Sequence, residues 1–214
     1  MRSPSRRPLA AALFVLAATA CAGVAPPSVD GPPAPTTQAA PPPARRANPA
    51  DVQFISGMIH HHAQALVMAD WARTRGASPS IRTLSERIHV SQTDEIRLMQ
   101  LWLTDMGEPV PEASPTGMRM MMGGVEHDML MPGMLTEEQL TQLERARGAE
   151  FDRLFLTFMI QHHEGALQMV ETLFAAHGGG ADDTIYKMAS DTFADQGSEI
   201  DRMQRILDSM PPPR

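Results

Sequence analysis

The chain has 214 residues, a formal net charge of −7, 17 methionines and one cysteine. A single cysteine excludes an intramolecular disulfide and a zinc site built on thiolates, so stability must come from a hydrophobic core. The excess of acidic residues disfavours nucleic acids and anionic membrane surfaces as partners, and it favours cations.

The first twenty residues predict export. Three arginines precede an apolar run at residues 9–20, which is too short to span a bilayer as a stable helix and fits a secretory signal peptide over residues 1–20. The run ends at Cys21 in a sequence that resembles a lipoprotein cleavage box. We therefore expect lipidation of Cys21 and a membrane-anchored protein in the periplasm or at the cell surface, with ordinary signal cleavage as the alternative.

Residues 21–47 are rich in proline and alanine. They carry too few apolar side chains to form a core, so we predict a partly extended tether. A spacer that holds the folded part away from a membrane and a leader without that role both fit this composition.

Helical signals begin after the tether. Asn48 and Pro49 predict the start of a helix that runs to about Arg75, and Ser78 with Pro79 predicts a second helix that ends before residue 107. Because the link between the two helices is short, they should lie antiparallel as a hairpin over residues 48–106.

A second helical hairpin is predicted over residues 136–210. A capping box at Thr136 opens its first helix, which Gly148 either kinks or splits in two. The last helix follows a glycine run and spans about residues 182–209.

The two hairpins are copies of each other. Residues 51–69 align without a gap to residues 152–170, with nine of nineteen positions identical, and the second helix of each hairpin also matches, at an offset of 104. Neither copy could bury its apolar stripe alone, so we predict an all-α fold, a four-helix bundle made of two repeated helical hairpins.

The repeated stretch carries candidate metal ligands on one face. At about 100° per residue, His61 and His62 lie on either side of an inward stripe that includes Met58, whereas His60 points away. Imidazole and thioether together suit copper, although simple core packing of these side chains is the alternative. The candidates on the two repeated helices are Met58, His61, His62, Met68, Met159, His162, His163 and Met169.

A methionine-rich crossover loop at residues 107–135 joins the hairpins. No helical or strand period orders its methionines, so core packing explains them poorly. Clustered thioethers suit a soft ion such as Cu(I) or Ag(I), and a hydrophobic strap across the bundle is the alternative. The candidate ligands in this loop are Met118, Met120, Met121, Met122, His127, Met129, Met131 and Met134.

The motif F-x-x-x-M-I-x-H-H-x-x-A-L-x-M occurs twice, with Q-x-x-E-I-x-x-M on each following helix and M-P-G-M before the second copy. This pattern, over residues 48–209, resembles the domain of unknown function 305 family. The resemblance implies a ferritin-like four-helix bundle that is exported or membrane-anchored in bacteria, and a link to copper binding and copper tolerance in some relatives. It implies that the eight helical candidates above are the motif positions.

Three functions remain open. The first is an exported copper-binding protein that buffers or hands on Cu(I) or Cu(II), with silver as a second soft ion. The second is a ferritin-like di-metal oxidoreductase that uses iron or manganese. The third is a helical interaction module that binds no metal and forms a homodimer.

The oxidoreductase requires inward glutamates and an E-x-x-H pattern on two helices. Glu86 and His89 form this pattern, but the matching positions of the repeat do not. The repeated Glu95 and Glu199 could supply carboxylates, hydrogen-bond the histidines, or form surface salt bridges. No nucleophile, phosphate loop or dinucleotide motif is present, so we expect a metal-binding protein rather than an enzyme.

Overall fold

The computed structural model describes residues 46–212, and the predicted signal peptide, Cys21 and most of the tether lie outside this range. Helices dominate the described part, so the all-α fold class is confirmed. None of these helices combines the length and the apolar character that a membrane span requires. The elements in chain order are α1 (Pro49–Trp71), α2 (Pro79–Met106), β1 (Met118–Met122), β2 (Val125–Met129), α3 (Glu137–Arg145), α4 (Gly148–Ala175) and α5 (Asp183–Ser209).

The first hairpin consists of α1 and α2. At the start of α1, the side-chain oxygen of Asn48 accepts a hydrogen bond from the N–H of Ala50 at 2.8 Å. The helix ends at Trp71, four residues before the predicted end, because the N–H groups of Ala72 and Arg73 bond three residues back instead of four. At the end of α2, Gly107 takes a left-handed conformation with φ 71°.

The predicted third helix is split in two. The backbone turns extended at Ala146 and Arg147, and Gly148 then adopts φ 57° at the start of α4. The N–H of Gly148 donates to the carbonyl of Arg75 at 2.8 Å, which ties the break to the turn of the first hairpin. The capping box at Thr136 is present at the start of α3.

The two hairpins meet through α1 and α4. Phe54 to Ile59 of α1 pack in one apolar cluster with Ala166 to Leu173 of α4, and Ala65 and Met68 of α1 pack in a second cluster with Phe151 to Met159 of α4. The two helices therefore run antiparallel. The histidine pair of each helix lies between its contributions to the two clusters, at the middle of the bundle.

The crossover contains a β-hairpin that the sequence did not predict. β1 and β2 pair antiparallel, with Met118 opposite Met129. Gly123 and Gly124 form the turn, with φ 60° and 83°, which suits a two-residue hairpin connection. The sequence shows no strand period here because the consecutive methionines hide the alternation, and the turn glycines set the register instead.

On both sides of the β-hairpin, the crossover packs against the bundle. The buried Gln64 side chain accepts from the N–H of Leu135 at 2.6 Å and donates to the carbonyls of Leu135 and Pro115 at 3.1 and 3.0 Å. On α4, a side chain at Gly165 would place its Cβ 2.0 Å from the carbonyl oxygen of Pro132, so only glycine admits the strap here. This part of the crossover therefore lies across the bundle as a strap, which was the alternative to a metal-binding loop.

Candidate metal centre

Four histidines from the repeated helices meet at the centre of the bundle. His61, His62, His162 and His163 are all completely buried. The rings of His61 and His162 stack with centroids 3.7 Å apart and planes 36° apart. Within each pair, the adjacent rings are 6.3 Å apart and tilted by 54°, so the two copies of the motif have the same local geometry.

Two glutamates orient the outer histidines. The Nε2 atom of His62 lies 2.7 Å from Oε2 of Glu95 on α2, and Nε2 of His163 lies 2.8 Å from Oε2 of Glu199 on α5. The ring N–H therefore donates to a carboxylate in both copies. Of the three roles considered for these glutamates, the structure shows the hydrogen bond to histidine. Metal-binding histidines commonly have such a carboxylate partner on the nitrogen that faces away from the metal.

His61 is oriented by the backbone of the crossover. Its Nε2 lies 3.1 Å from the carbonyl oxygen of Pro132, which can only accept, so the N–H is on Nε2. In His61, Nδ1 is then the unprotonated nitrogen. The Nδ1 atoms of His61, His62 and His163 and both ring nitrogens of His162 are buried and have no hydrogen-bond partner among the described residues.

The two stacked histidines are neutral. Burial, followed by the charges of neighbouring histidines, lowers the pKa of His61 and of His162 well below the ordinary value. Burial raises the pKa of Glu95, but the hydrogen bond and charge of His62 and the hydroxyl of Ser91 outweigh it and lower the pKa overall. His61 and His162 are therefore neutral imidazoles, which is the protonation state that a histidine needs to bind a metal, and Glu95 is held in its ionised form.

The rings, as they are arranged here, do not form a metal-binding site. Within residues 46–212, no three side chains of histidine, cysteine, aspartate or glutamate are grouped so that they could hold a metal ion. The stacked rings would have to turn apart for their Nδ1 atoms to share an ion. Donor chemistry and ring orientation fit a metal, whereas the packed arrangement of the rings is closed.

Four of the predicted methionine ligands lie in the apolar clusters of the core, among them Met169, which is 8% exposed. Met58, Met68 and Met159 are at most 1% exposed and lie in the two apolar clusters. Their thioethers fill space between helices, as methionine commonly does. Their predicted role as metal ligands stays a prediction.

Met169 and three of the loop methionines line one open cavity, which we call the thioether groove. It has a volume of about 830 Å³ and lies between the start of α1, the end of α4 and the crossover. The Sδ atom of Met131 and the Cε atom of Met169 both approach the Cα of Gly57, where a Cβ would meet them at 2.9 and 3.2 Å. The four thioether side chains of the groove are Met118, Met129, Met131 and Met169.

The remaining loop candidates are dispersed. Met121 is 65% exposed, and the buried sulfur of Met134 accepts a hydrogen bond from the N–H of Met131 at 3.3 Å. On the backbone, Met120 pairs with His127 across the β-hairpin, and Met122 belongs to the same strand.

The sequence did not predict the burial of one histidine. His60, predicted to point away from the bundle, is 6% exposed because the crossover covers it, and its Nδ1 lies 3.2 Å from the carbonyl oxygen of Ser114. The hydrogen bond between His61 and the carbonyl of Pro132 was also not predicted, because no local pattern shows which backbone atom will face a distant helix.

The pair predicted for an oxidoreductase lies elsewhere. Glu86 is exposed, and Nδ1 of His89 lies 3.3 Å from a carboxylate oxygen of Asp70 at a surface cleft. These side chains do not join the four central histidines. The structure therefore gives the E-x-x-H pattern no place in a di-metal centre.

Known structures share this fold. A DUF305 fragment from Deinococcus radiodurans is 27% identical, with a TM-score of 0.64 over 78% of this chain and 100% of that chain. CopM in its Cu(I)-bound form is 26% identical, with a TM-score of 0.56 over 74% of this chain and 95% of that chain. CopM in its Cu(II)-bound form is 28% identical, with a TM-score of 0.57 over the same shares of the two chains.

A curated relative is similar over a shorter stretch. The uncharacterised protein L153 of Acanthamoeba polyphaga mimivirus is 41% identical over 49 residues, which are 23% of this chain and 32% of that protein. The chain thus matches about a third of that relative's length. The family model described as "Domain of unknown function (DUF305)" matches residues 51–207, most of the chain, and the protein therefore belongs to the DUF305 family.

Proposed function

We propose that this protein is an exported copper-binding protein that takes up Cu(I) in the thioether groove and buffers the ion or passes it on. The observation that carries the proposal is the thioether groove itself, where methionines from β1, β2, the crossover and α4 line one open cavity. Thioethers prefer soft ions, so Cu(I) and Ag(I) are the expected ligands.

The exposure of Met118 and Met129 supports a binding role over packing, whereas Met169, which also lines the groove, is 8% exposed and lies in an apolar cluster. Met129 is 43% exposed and Met118 is partly exposed, whereas the core methionines Met58 and Met159 are buried. A methionine that only fills space gains its stabilisation from burial, which the exposed side chains lack.

The four central histidines form a second candidate site for copper. Pro132 connects the two sites, because its carbonyl accepts the hydrogen bond of His61 and the residue also lines the groove. A shift of this strap would free the ring of His61 to turn. Imidazole binds both Cu(I) and Cu(II), so the inner site would accept either oxidation state.

Similarity to CopM also supports copper. Structures of that protein exist in Cu(I)-, Cu(II)- and Ag-bound forms, and the Ag-bound form is 25% identical to this chain with a TM-score of 0.57. Export fits the same function, because a metal-buffering protein outside the cytoplasm meets incoming ions first. Lipidation of Cys21, which lies outside the described residues, stays a prediction, as does a homodimer.

Competition with a coloured Cu(I) chelator under reducing conditions tests the proposal. Replacing Met131 and Met169 together with leucine removes two thioethers and nearly conserves volume, so the fold should persist. We expect the affinity for Cu(I) to fall at least about tenfold, which corresponds to about 1.4 kcal/mol. Met203→Leu, which changes a completely buried methionine of the core, is the matched control.

The outcomes separate the two sites. If the groove variant binds Cu(I) like the wild type, the groove is not the site. If replacing His62 and His163 with glutamine then removes the binding instead, the ion lies at the central histidines. Absence of Cu(I) binding in the wild-type protein would refute the copper function altogether.

A further inference from the structure

A separate polar pocket lies between α2 and α5, beside the two histidine–glutamate pairs. It has a volume of about 170 Å³. The duplicated hairpins contribute equivalent residues to it, so that it is built from both copies of the repeat. Its lining includes Gln92 and Glu95 of α2 and Asp195, Gln196 and Glu199 of α5.

Two buried amides of this pocket lack partners. Gln92 and Gln196 are each 3% exposed, and their Oε1 atoms have no hydrogen-bond partner among the described residues. The Nε2 atom of Gln196 also lacks one. Buried side-chain amides in proteins are nearly always hydrogen-bonded, so these three unpaired amide atoms at one pocket point to bound water or a ligand there.

The pocket also concentrates negative charge. Burial is the largest cause that raises the pKa of Asp195. The negative charges of Glu95, Asp191 and Glu199 raise it further. Arg87 is the basic residue of the lining. A bound cation would relieve the repulsion among these carboxylates.

The donors select the class of ion. Carboxylate, amide and hydroxyl oxygens line the pocket, and oxygen ligands prefer hard divalent cations over Cu(I) or Ag(I). Among the described residues, no three carboxylate or histidine side chains are grouped to hold an ion by themselves, so water must supply further ligands. The volume has room for several water molecules, and Mg²⁺ and similar ions often keep several waters when bound.

We propose that this pocket binds one hydrated hard divalent cation, held through water by Asp195, Glu199 and the amide of Gln196. The site is distinct from the thioether groove and does not depend on copper binding. It joins the second helices of the two hairpins, so that an ion here would tie the two halves of the bundle together.

Mn²⁺ serves as the probe, and its binding to the metal-free full-length protein is measured by electron paramagnetic resonance. We expect one saturable Mn²⁺ per chain, displaced by excess Mg²⁺ or Ca²⁺. Asp195→Asn and Gln196→Leu should each weaken binding at least about fivefold, because each removes a charge or a donor from the pocket. Asp201→Asn makes the same charge change at an exposed position of α5 and should leave binding unchanged.

Circular dichroism establishes that each variant keeps its helices, and Asp195 is exposed, so that its replacement by asparagine perturbs no core contact. The Met131→Leu, Met169→Leu variant should bind Mn²⁺ like the wild type, which separates this site from the groove. No saturable binding at millimolar Mn²⁺, or equal affinities in wild type, Asp195→Asn and Asp201→Asn, would overturn the proposal.

Discussion

His61 and His162 stack ring against ring at the centre of the bundle, with centroids 3.7 Å apart. They occupy the same position in the two copies of the repeat, so the stack marks where the copies face each other. Because both rings are completely buried, they must remain neutral for the core to stay closed. This contact couples the stability of the fold to pH and to any metal that separates the rings.

The first prediction concerns pH. Burial lowers the pKa of both stacked histidines, whereas in the unfolded chain they take up protons near pH 6.5. Below about pH 6.5 the unfolded state binds more protons, so the free energy of unfolding should fall as the pH decreases and should be unaffected by these residues above that value. Each histidine contributes a slope of up to about 1.4 kcal/mol per pH unit. Urea unfolding of the metal-free protein between about pH 5 and 8 measures this.

A variant and a control test the origin of this slope. His162→Gln removes one of the two groups and should reduce the slope by up to about 1.4 kcal/mol per pH unit, whatever it does to absolute stability. His177→Gln changes an exposed histidine and should leave the slope as it is. Equal slopes in the wild type and His162→Gln would contradict the assignment.

The second prediction concerns Glu199. Replacing it with alanine leaves the buried N–H of His163 without its acceptor, and we expect a loss of about 1–3 kcal/mol in the free energy of unfolding. Glu199→Gln keeps an acceptor oxygen and should lose less. Glu171→Ala, at an exposed position of α4, should change stability by less than about 0.5 kcal/mol. If alanine and glutamine at position 199 have equal effects in chemical denaturation, the hydrogen bond is not what stabilises the fold.

Much of the fold follows from periodicity and repetition. The helices carry apolar stripes and end signals that are local in sequence, and the duplication identified which histidines face inward. The sequence could not decide whether Gly148 kinks the helix or splits it in two. The positive φ of Gly148 accompanies a long-range hydrogen bond from its N–H to the carbonyl of Arg75, which no local pattern shows.

The strands of the crossover and its position on the bundle could not be predicted from the sequence. Its strands depend on a glycine turn, and its position depends on contacts over long separations, such as that between Gln64 and Leu135. The same covering explains His60, whose outward direction on the isolated helix was inferred correctly but whose burial comes from a segment more than fifty residues later.

The third prediction concerns Gln64. Gln64→Leu removes the hydrogen-bond partner of the Leu135 N–H and of the carbonyls of Leu135 and Pro115. The hydrogen bonds to Leu135 are buried. We expect a loss of about 1–3 kcal/mol in stability and faster hydrogen exchange at the Leu135 amide, because the strap loses its anchor on α1. Gln168→Leu, which changes an exposed glutamine of α4, should leave that exchange rate unchanged. Wild-type exchange in Gln64→Leu would show that other contacts hold the strap.

The last prediction compares two helical glycines. A Cβ at Gly165 would lie 2.0 Å from the carbonyl oxygen of Pro132 and 2.5 Å from the Cα of Gly133, whereas a Cβ at Gly197 meets nothing within 4 Å. Gly197→Ala should stabilise the protein by about 0.5–1 kcal/mol, since alanine loses less backbone entropy in a helix. Gly165→Ala should instead destabilise it by about 1–3 kcal/mol, because backbone atoms must move to admit the methyl group.

Thermal unfolding of both glycine variants distinguishes packing from helix propensity. Displacing the strap also moves the carbonyl that orients His61, so Gly165→Ala should change Cu(I) affinity while Gly197→Ala should not. If both variants were stabilised equally, Pro132 would not lie against α4 in solution. The connection between the thioether groove and the central histidines would then lose its structural basis, and the two sites would have to be treated as independent.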